Sequence, residues 1–153
     1  MPEELELEFN ERNKRIGILI AILAGVLAFT EAAGSNAASD ALRGTVEVSN
    51  TWAFFQAKTI RMTTLRAQAD ALELASADVK GAAREAINKQ IANWRETANR
   101  YDSEPATGEG RKELSAKAKE IETERDDDAA ANATFDLASG ALQLGILLAS
   151  PRS

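Results

Sequence analysis

The sequence NKRIGILIAILAGVLAFTEAAG, residues 13–34, decides the fold of this chain because fifteen consecutive residues within it, Ile16 to Thr30, carry no charge. If Glu31 is accepted at the edge, the apolar stretch extends to Ala33 and covers eighteen positions. A helix that spans a bilayer needs roughly 17–25 such residues. The stretch therefore predicts a transmembrane helix over residues 16–33.

Two alternatives to this anchor stay open at the level of the sequence. A soluble core helix would carry a polar stripe every three to four residues, and none interrupts the run. A cleaved signal peptide would begin with basic residues and end in a small-x-small site. Here the acidic segment MPEELELEFNE comes first, and Glu31 lies where that site would be. Length and flanking charge together favour the anchor.

Basic residues flank this stretch closely on one side only. Arg12, Lys14 and Arg15 precede it, and the first basic residue after it is Arg43. Short segments rich in Lys and Arg stay on the cytoplasmic side of a membrane, whereas acidic residues contribute little to orientation. The asymmetry predicts a cytoplasmic N-terminus, with the central part of the chain outside the cytoplasm.

The composition predicts an all-α protein without catalytic chemistry. Aromatic residues make up 5% of the 153 residues, and there are only 3 Pro and 9 Gly, which leaves little material for sheets or turns. The absence of Cys and His excludes disulfides, Cys/His zinc sites and imidazole bases. A formal net charge of -6 disfavours nucleic-acid binding, which needs a basic surface. We expect no enzymatic activity, no metal and no cofactor.

Apolar residues recur at helical spacing through the central part of the chain, which predicts an elongated antiparallel helical hairpin or a small, coiled-coil-like bundle. The seam, predicted to form a core or to contact a partner helix, comprises Val48, Trp52, Phe55, Met62, Ala69 and Leu72, followed by Ala83, Ile87, Ile91, Trp94, Ala98 and Tyr101. Phe54 lies off the seam and is predicted to contact lipid or a partner protein. The inward positions of the returning segment are Leu114, Ala118, Ile121 and Phe135. A solvated surface is predicted for Lys58, Arg61, Arg66, Asp70 and Glu73.

Three interruptions divide the chain. Gly34 to Asn36 predict a break after the anchor, with Ser39 and Asp40 as caps for the helix that follows, and residues 75–81 predict a joint or a kink. In DSEPATGEG, residues 102–110, Pro105 forbids a continuous helix, which predicts that the hairpin turns there. The predicted domains are an acidic tail with a basic flank at 1–15, the span at 16–33, the hairpin at 34–136 and an apolar segment at 137–153, a candidate second or truncated span.

Four segments, taken in order, resemble one bacterial family. They are NKRIGILIAILAGVLAFTEAAG, SNTWAFFQAKTIRM, RYDSEPATGEGRKEL and FDLASGALQLGILLAS, and they extend over nearly the whole chain. As a set they are similar to the uncharacterised family known as domain of unknown function 4337. The resemblance implies a small, mostly helical protein of the bacterial cytoplasmic membrane with one N-terminal span, a helical middle region and a hydrophobic C-terminal portion. It implies no activity, substrate or catalytic residue.

Three groups of polar residues have a functional and a plain interpretation. Glu31 is an ionisable group at the membrane edge, where charges often mark a site but also simply reach interfacial water. The segment TGEGRK, residues 107–112, offers amides and two cations to an anion, or only a turn with a helix start. Asp126 to Asp128 point in different directions on a helix, so we expect a solvated acidic face and no metal cage.

The sequence predicts a membrane-anchored scaffold or accessory subunit that binds the lipid bilayer and other membrane proteins or a second copy of itself. The basis is that apolar helix seams provide association surfaces while no residue cluster provides chemistry. The alternative is a transmembrane sensor that signals through helix rearrangement, for which the polar seam residues Thr59, Gln90 and Arg125 are the hint. An enzyme is the third and weakest interpretation.

Overall fold

Three α-helices form the chain in this computed structural model, which describes the backbone of residues 2–150 and the side chains of residues 11–150. The helices are α1 at Pro2–Ala75, α2 at Ala82–Asp102 and α3 at Arg111–Ala149. No strand occurs within residues 2–150. The prediction of an all-α fold is therefore confirmed.

The break predicted at Gly34 to Asn36 is wrong, because α1 continues through these residues. A Cβ atom added to Gly34 would lie 3.0 Å from the Cβ of Phe135, so this glycine makes room for a close approach of α3. Ser39 caps no new helix. Its hydroxyl donates a hydrogen bond of 2.8 Å to the carbonyl oxygen of Ser35 within α1.

The chain folds into two compact units. The terminal unit consists of the chain up to Arg43 together with the chain from Glu124 onward. The central unit consists of Gly44–Thr123. Each unit contains a part of α1 and a part of α3, and the central unit also contains α2 and the two loops.

In the terminal unit, α1 and α3 lie side by side in opposite directions. Gly34 packs against Phe135, and the side-chain amide of Gln143 donates a hydrogen bond of 3.2 Å to Glu31. Small and polar residues are buried between the helices, among them Thr30 and Ser139. The large apolar side chains that are exposed here are Ile18, Leu19, Ile22, Val26, Phe29, Leu42, Leu137, Leu144, Leu147 and Leu148. The unit therefore exposes many of its large apolar side chains.

In the central unit, both α2 and α3 run antiparallel to α1. Along α2, Arg84 donates hydrogen bonds to Ser76 and Arg95 donates to Asp70, so later residues of α2 meet earlier residues of α1. The same holds along α3. Arg111 reaches Met62, whereas Glu122 accepts a hydrogen bond from Trp52. α2 and α3 are thus two successive pieces of one returning path.

This arrangement corrects the predicted position of the hairpin turn. The chain reverses between the end of α1 at Ala75 and the start of α2 at Ala82, where Gly81 adopts φ 71°, a left-handed conformation that suits glycine. A loop does form at residues 103–110, as Pro105 requires, but α3 leaves it in the direction in which α2 arrived. A helix breaker fixes where a helix ends. The packing of the next apolar face fixes where the chain goes.

The buried apolar core of the described residues lies in the central unit and contains mostly small and medium side chains. Its members are Val48, Met62, Ala69, Ile91, Ala98, Leu114, Ala118 and Ile121. Each lies at a position that helical spacing assigns to the inward face. Full burial of one Val, Leu, Ile or Met side chain stabilises a fold by about 1.5–3 kcal/mol. The seam of α1 therefore supports both α2 and α3.

Candidate functional site

Trp52 and Phe55, two predicted seam residues of α1, lie against α3 rather than against α2. Trp52 and Phe55 pack edge to face, with ring centroids 5.2 Å apart and an interplanar angle of 83°. The indole Nε1 of Trp52 donates a hydrogen bond of 2.9 Å to Oε1 of Glu122, and the guanidinium of Arg111 lies 5.1 Å from the Phe55 ring centroid. Both partners, Glu122 and Arg111, belong to α3.

The α2 members of the seam lie along the last part of α1. Ile91 is buried, whereas Ile87 and Trp94 are half-buried. Arg95, next to Trp94, donates hydrogen bonds of 3.0 Å to Asp70 and 2.6 Å to Glu73. These bonds raise the pKa of Arg95, first through Asp70 and then through Glu73. Trp52 and Phe55 thus contact α3, whereas the α2 members of the seam lie along the last part of α1.

Lys58 is the largest departure from the predicted solvated surface, because only 6% of the residue is exposed. Its Nζ lies 5.1 Å from the ring centroids of both Phe54 and Tyr101. The same Nζ lies 3.6 Å from Oε2 of Glu109 in the loop. A cation between two aromatic faces is attracted by their quadrupoles, and its alkyl stem fills apolar space. Lys58 therefore connects α1 to the end of α2 and to the loop.

A carboxylate at the end of α2 binds both cations at the start of α3. Oδ1 of Asp102 accepts a hydrogen bond of 3.0 Å from Nη1 of Arg111, and Oδ2 lies 3.1 Å from Nζ of Lys112. The hydrogen bond from Lys112 is the main cause of the lowered pKa of Asp102, and the charges of Lys112 and Arg111 add to it. The predicted anion site at residues 107–112 therefore has its two cations already paired.

The loop closes on itself through Glu113. Its Oε1 accepts a hydrogen bond of 2.6 Å from the Ser103 hydroxyl, and its Oε2 accepts one of 3.1 Å from the backbone N–H of Glu104. The bond from Ser103 is the main reason that the pKa of Glu113 is lowered. The pKa of Glu104 is lowered chiefly by the hydrogen bond that Arg100 donates to it. A Cβ on Gly110 would collide with Glu113 and with the backbone of Glu104, so the loop requires glycine there.

These contacts join the loop to α1, and the side chains that make them are called the loop cluster here, meaning Lys58, Asp102, Glu109, Arg111 and Glu113. Lys58 pairs with Glu109 and Arg111 with Asp102, while Glu113 accepts its hydrogen bonds from Ser103 and Glu104. Among residues 11–150, no group of three or more His, Cys, Asp or Glu side chains could hold a metal ion. The cluster fixes the joint between α2 and α3 onto α1.

The residues predicted at the membrane edge lie in the terminal unit. Lys14 and Arg15 are exposed, as is Arg12, which has an interaction partner. Glu31 is exposed and accepts its hydrogen bond from Gln143. Within the described chain, one helix, counted from Glu11 to Ala75, is long and apolar enough to cross a membrane. Its most apolar window has a mean hydropathy of 2.2 and no buried residue.

A second face of α1 in the central unit escaped the sequence analysis. Opposite to the buried face lies the outer stripe, defined here as Val46, Asn50, Ala53, Ala57, Ile60, Thr64, Ala67, Ala71 and Leu74. No member is charged. Val46, Ile60 and Leu74 are 61%, 67% and 81% exposed. A water-facing helix side normally carries charges. The absence of charge is the signal that reveals the stripe in the sequence. A hydrophobic period is hard to recognise there, because most of the positions are Ala, Asn or Thr.

Comparison with known proteins gives one family and no individual relative. The family model described as domain of unknown function (DUF4337) matches residues 12–151, which is most of the chain. No curated protein and no solved structure matches the chain. The family prediction is therefore confirmed.

Proposed function

Because the chain belongs to the family described as domain of unknown function 4337, a description that assigns no activity, we propose from its own surfaces that it is a membrane-anchored scaffold or accessory subunit that binds protein partners. The terminal unit provides the anchor in this proposal. The central unit provides the binding surface. The binding role depends on the outer stripe. The anchor depends on the exposed apolar window of α1.

The anchor is supported by the burial pattern of the terminal unit. Phe29, Ile22 and Leu148 are exposed, while Thr30 and Ser139 lie inside. In water this pattern would leave a contiguous apolar surface without cover, at a cost of roughly 25 cal/mol for each Å² of apolar area. In a bilayer the same side chains contact acyl chains, and the backbone of both helices is hydrogen-bonded internally. A bilayer is thus the environment that fits this surface.

The C-terminal half of α3 extends this lipid-facing surface. From Leu137 to Ser150 it carries no charge, and Leu144, Leu147 and Leu148 are exposed. These fourteen residues are fewer than the roughly 17–25 that a full span needs. We therefore propose that this segment is embedded in the membrane beside α1. The predicted apolar segment continues to residue 153, and residues 151–153 lie outside the described part of the chain.

Orientation follows from charge in the same proposal. Arg12, Lys14 and Arg15 hold the N-terminus on the cytoplasmic side of a bacterial inner membrane, since cytoplasmic flanks are rich in Lys and Arg. The central unit then lies outside the cytoplasm. Glu31 lies close to the outer edge, where its carboxylate reaches interfacial water and Gln143.

The central unit offers a protein surface and no reactive group. Its loop charges are paired, whereas Val46, Ile60 and Leu74 lack cover. Exposed apolar residues along one side of a helix typically bind another helix. Phe54, 38% exposed beside the stripe, adds an aromatic contact of the kind enriched at interfaces. These features favour a binding protein over an enzyme.

Among the side chains of residues 11–150, no contact supports the alternative of a sensor that switches helix register. The hydroxyl of Thr59 donates a hydrogen bond of 2.8 Å to the carbonyl oxygen of Phe55. Arg125 donates to Asp126, and Gln90 is exposed. None of these three observations involves a neighbouring helix, so none supports a second register.

Alkaline carbonate extraction tests the anchor. The intact chain should stay in the membrane pellet, and a variant without residues 16–33 should be released. Release of the intact chain would contradict the anchor.

A photo-crosslinking amino acid tests the binding surface. Placed at Ile60, it should give discrete protein adducts in native membranes, whereas at the exposed Lys119 of α3 it should give none. Equal adducts at both positions, or none at Ile60, would contradict the binding role.

A further inference from the structure

We infer that the outer stripe is a homodimer interface, in which α1 of one copy packs in parallel and in register against α1 of a second copy between Val46 and Leu74. The inference deepens the proposed function, because it names the partner of the same surface. It takes from that proposal the membrane that orients both copies. The pairing itself is argued from the spacing, polarity and charge of the stripe.

The stripe has the spacing of a coiled-coil seam. Val46, Ala53, Ile60, Ala67 and Leu74 recur every seven residues. Between them lies the second set, Asn50, Ala57, Thr64 and Ala71, which also recurs every seven residues. The alternation of three- and four-residue steps persists over four heptads, and such a seam keeps facing a partner helix when two helices supercoil. The partner that this surface fits is therefore a long helix.

The composition of the stripe allows two backbones to approach closely. Ala53, Ala57, Ala67 and Ala71 carry only a methyl group. Large side chains recur at every second heptad, at Val46, Ile60 and Leu74. In a parallel, in-register pair each large residue meets its own counterpart, so the layers of both helices coincide. A shift by one heptad would place each large residue against alanine and leave a gap.

Asn50 supports the in-register arrangement. It occupies the first of the two seam positions, where a single asparagine pairs with its equivalent and sets register at some cost in stability. A shift by one heptad would place its amide against Ala57, without a hydrogen-bond partner. The exposed side chain of Asn50 therefore has a function in a pair of identical chains.

The borders of the stripe do not repel a second copy. The charged residues directly beside it are Glu47, Arg61 and Asp70. In a parallel pair, the residue before the first seam position meets the residue after the second seam position of the other copy. Arg61 then faces Gln56 of the second copy, and no border residue faces a like charge. The three charges leave the uncharged centre free to pack.

Anchoring in one membrane fixes the relative direction of two copies and raises their effective concentration. Two copies that are anchored by the same N-terminal segment enter the same bilayer with the same polarity, so their α1 helices run in parallel. An antiparallel pair would separate the two anchors. Confinement to one membrane also raises the effective concentration of the second copy, which compensates for the modest contact area of alanine. The Ala-rich stripe is thus suited to pairing within a membrane.

Cysteine crosslinking in native membranes tests the inference, because the natural chain has no Cys. Full-length chains with Ala53→Cys, Ile60→Cys or Leu74→Cys should each form a disulfide-linked species of twice the chain mass under mild oxidation. Arg66→Cys, on the same helix and exposed but away from the stripe, should crosslink at least about tenfold less. An antiparallel pair would crosslink only near its centre. Equal crosslinking at Arg66→Cys, or none at Ala53→Cys and Leu74→Cys, would overturn the inference.

A second variant separates pairing from folding. Ile60→Glu, added to Ala53→Cys, should reduce the dimer about tenfold or more. Helicity and membrane attachment should stay unchanged, because the new charge lies in the outer stripe and not in the buried core of the single chain. Arg66→Glu should leave the dimer intact. A crosslinked product of a different mass would show a different partner protein and would overturn the homodimer. Carbonate release of the intact chain would refute the anchor, whereas the crosslinks at Ala53 and Leu74 would still decide the pairing.

Discussion

The Nζ of Lys58 lies 3.6 Å from Oε2 of Glu109, and this pair fastens the loop between α2 and α3 onto α1. The two partners contribute unequally. Lys58 is buried between two aromatic rings, whereas Glu109 is exposed. The strength of the contact therefore comes from the burial of the lysine stem and from the rings more than from the ion pair.

Lys58→Ala should lower the free energy of unfolding by about 2–4 kcal/mol, because it removes a buried stem of a size comparable to Met. Glu109→Gln should cost less than about 1 kcal/mol, as exposed ion pairs contribute little. Thermal melting followed by circular dichroism in detergent compares the two variants. Equal effects of both substitutions would show that the ion pair, and not burial, holds the loop.

Gly110→Ala should destabilise the central unit strongly. The new Cβ would collide with Oε2 of Glu113 and the backbone N of Glu104, and it would lie 2.6 Å from Cα of Ser103. Two of these atoms belong to the backbone and cannot rotate away. Gly140→Ala is the matched control, because nothing lies within 4 Å of its Cβ and alanine favours a helix by up to about 1 kcal/mol. A Gly110→Ala chain that melts like the natural one would refute the close approach.

Acid should weaken the central unit through its loop carboxylates. The folded protein lowers the pKa values of Asp102, Glu104 and Glu113, whereas in the unfolded chain such groups titrate near about pH 4. A lowered pKa contributes stability that is present above that pH and is lost as the pH falls through the folded pKa. The melting temperature should therefore be constant near neutral pH and fall below about pH 4.

The matched variants for this acid effect carry amides. A triple change of Asp102, Glu104 and Glu113 to Asn, Gln and Gln should melt lower at neutral pH and depend less on acid. As a control, changing Asp126, Asp127 and Asp128 to Asn should keep the acid dependence of the natural chain. If both triples behave alike, the loop carboxylates are not the cause.

Trp52→Ala should cost about 3 kcal/mol or more, because a large ring is removed from the contact of α1 with α3. Trp52→Phe keeps a smaller aromatic ring but loses the hydrogen bond to Glu122, and the loss of that bond should cost about 1 kcal/mol. Chemical denaturation in detergent gives both values. A Trp52→Ala chain unchanged in stability would show that this ring does not support the fold.

Helical spacing predicted much of this fold. The inward positions Val48, Met62, Ile91 and Leu114 are buried, because a period of 3.6 residues relates sequence directly to one helix face. The all-α class followed from composition, because so few aromatic, Pro and Gly residues leave little material for sheets or turns. Local patterns of this kind depend on neighbours within a turn or two, so one sequence is enough to identify them.

Three features depended on contacts distant in the sequence and could not be predicted. Gly34 continues a helix because Phe135 packs against it, and a local pattern cannot distinguish that role from a break. Lys58 is buried by two rings and Glu109, which only the folded chain brings together. The sequence predicts a loop at 102–110, but the direction of α3 beyond it depends on which face of α1 remains to be covered.

Accessibility of single cysteines in intact cells tests most directly that α1 anchors the chain and holds the central unit outside the cytoplasm. Thr107 is an exposed residue of the loop, and Glu11 is exposed before the apolar stretch. A Thr107→Cys chain should react with a membrane-impermeant thiol reagent in intact cells, and a Glu11→Cys chain should react only after lysis. Labelling of Glu11→Cys but not Thr107→Cys in intact cells, or of neither before lysis, would contradict this arrangement.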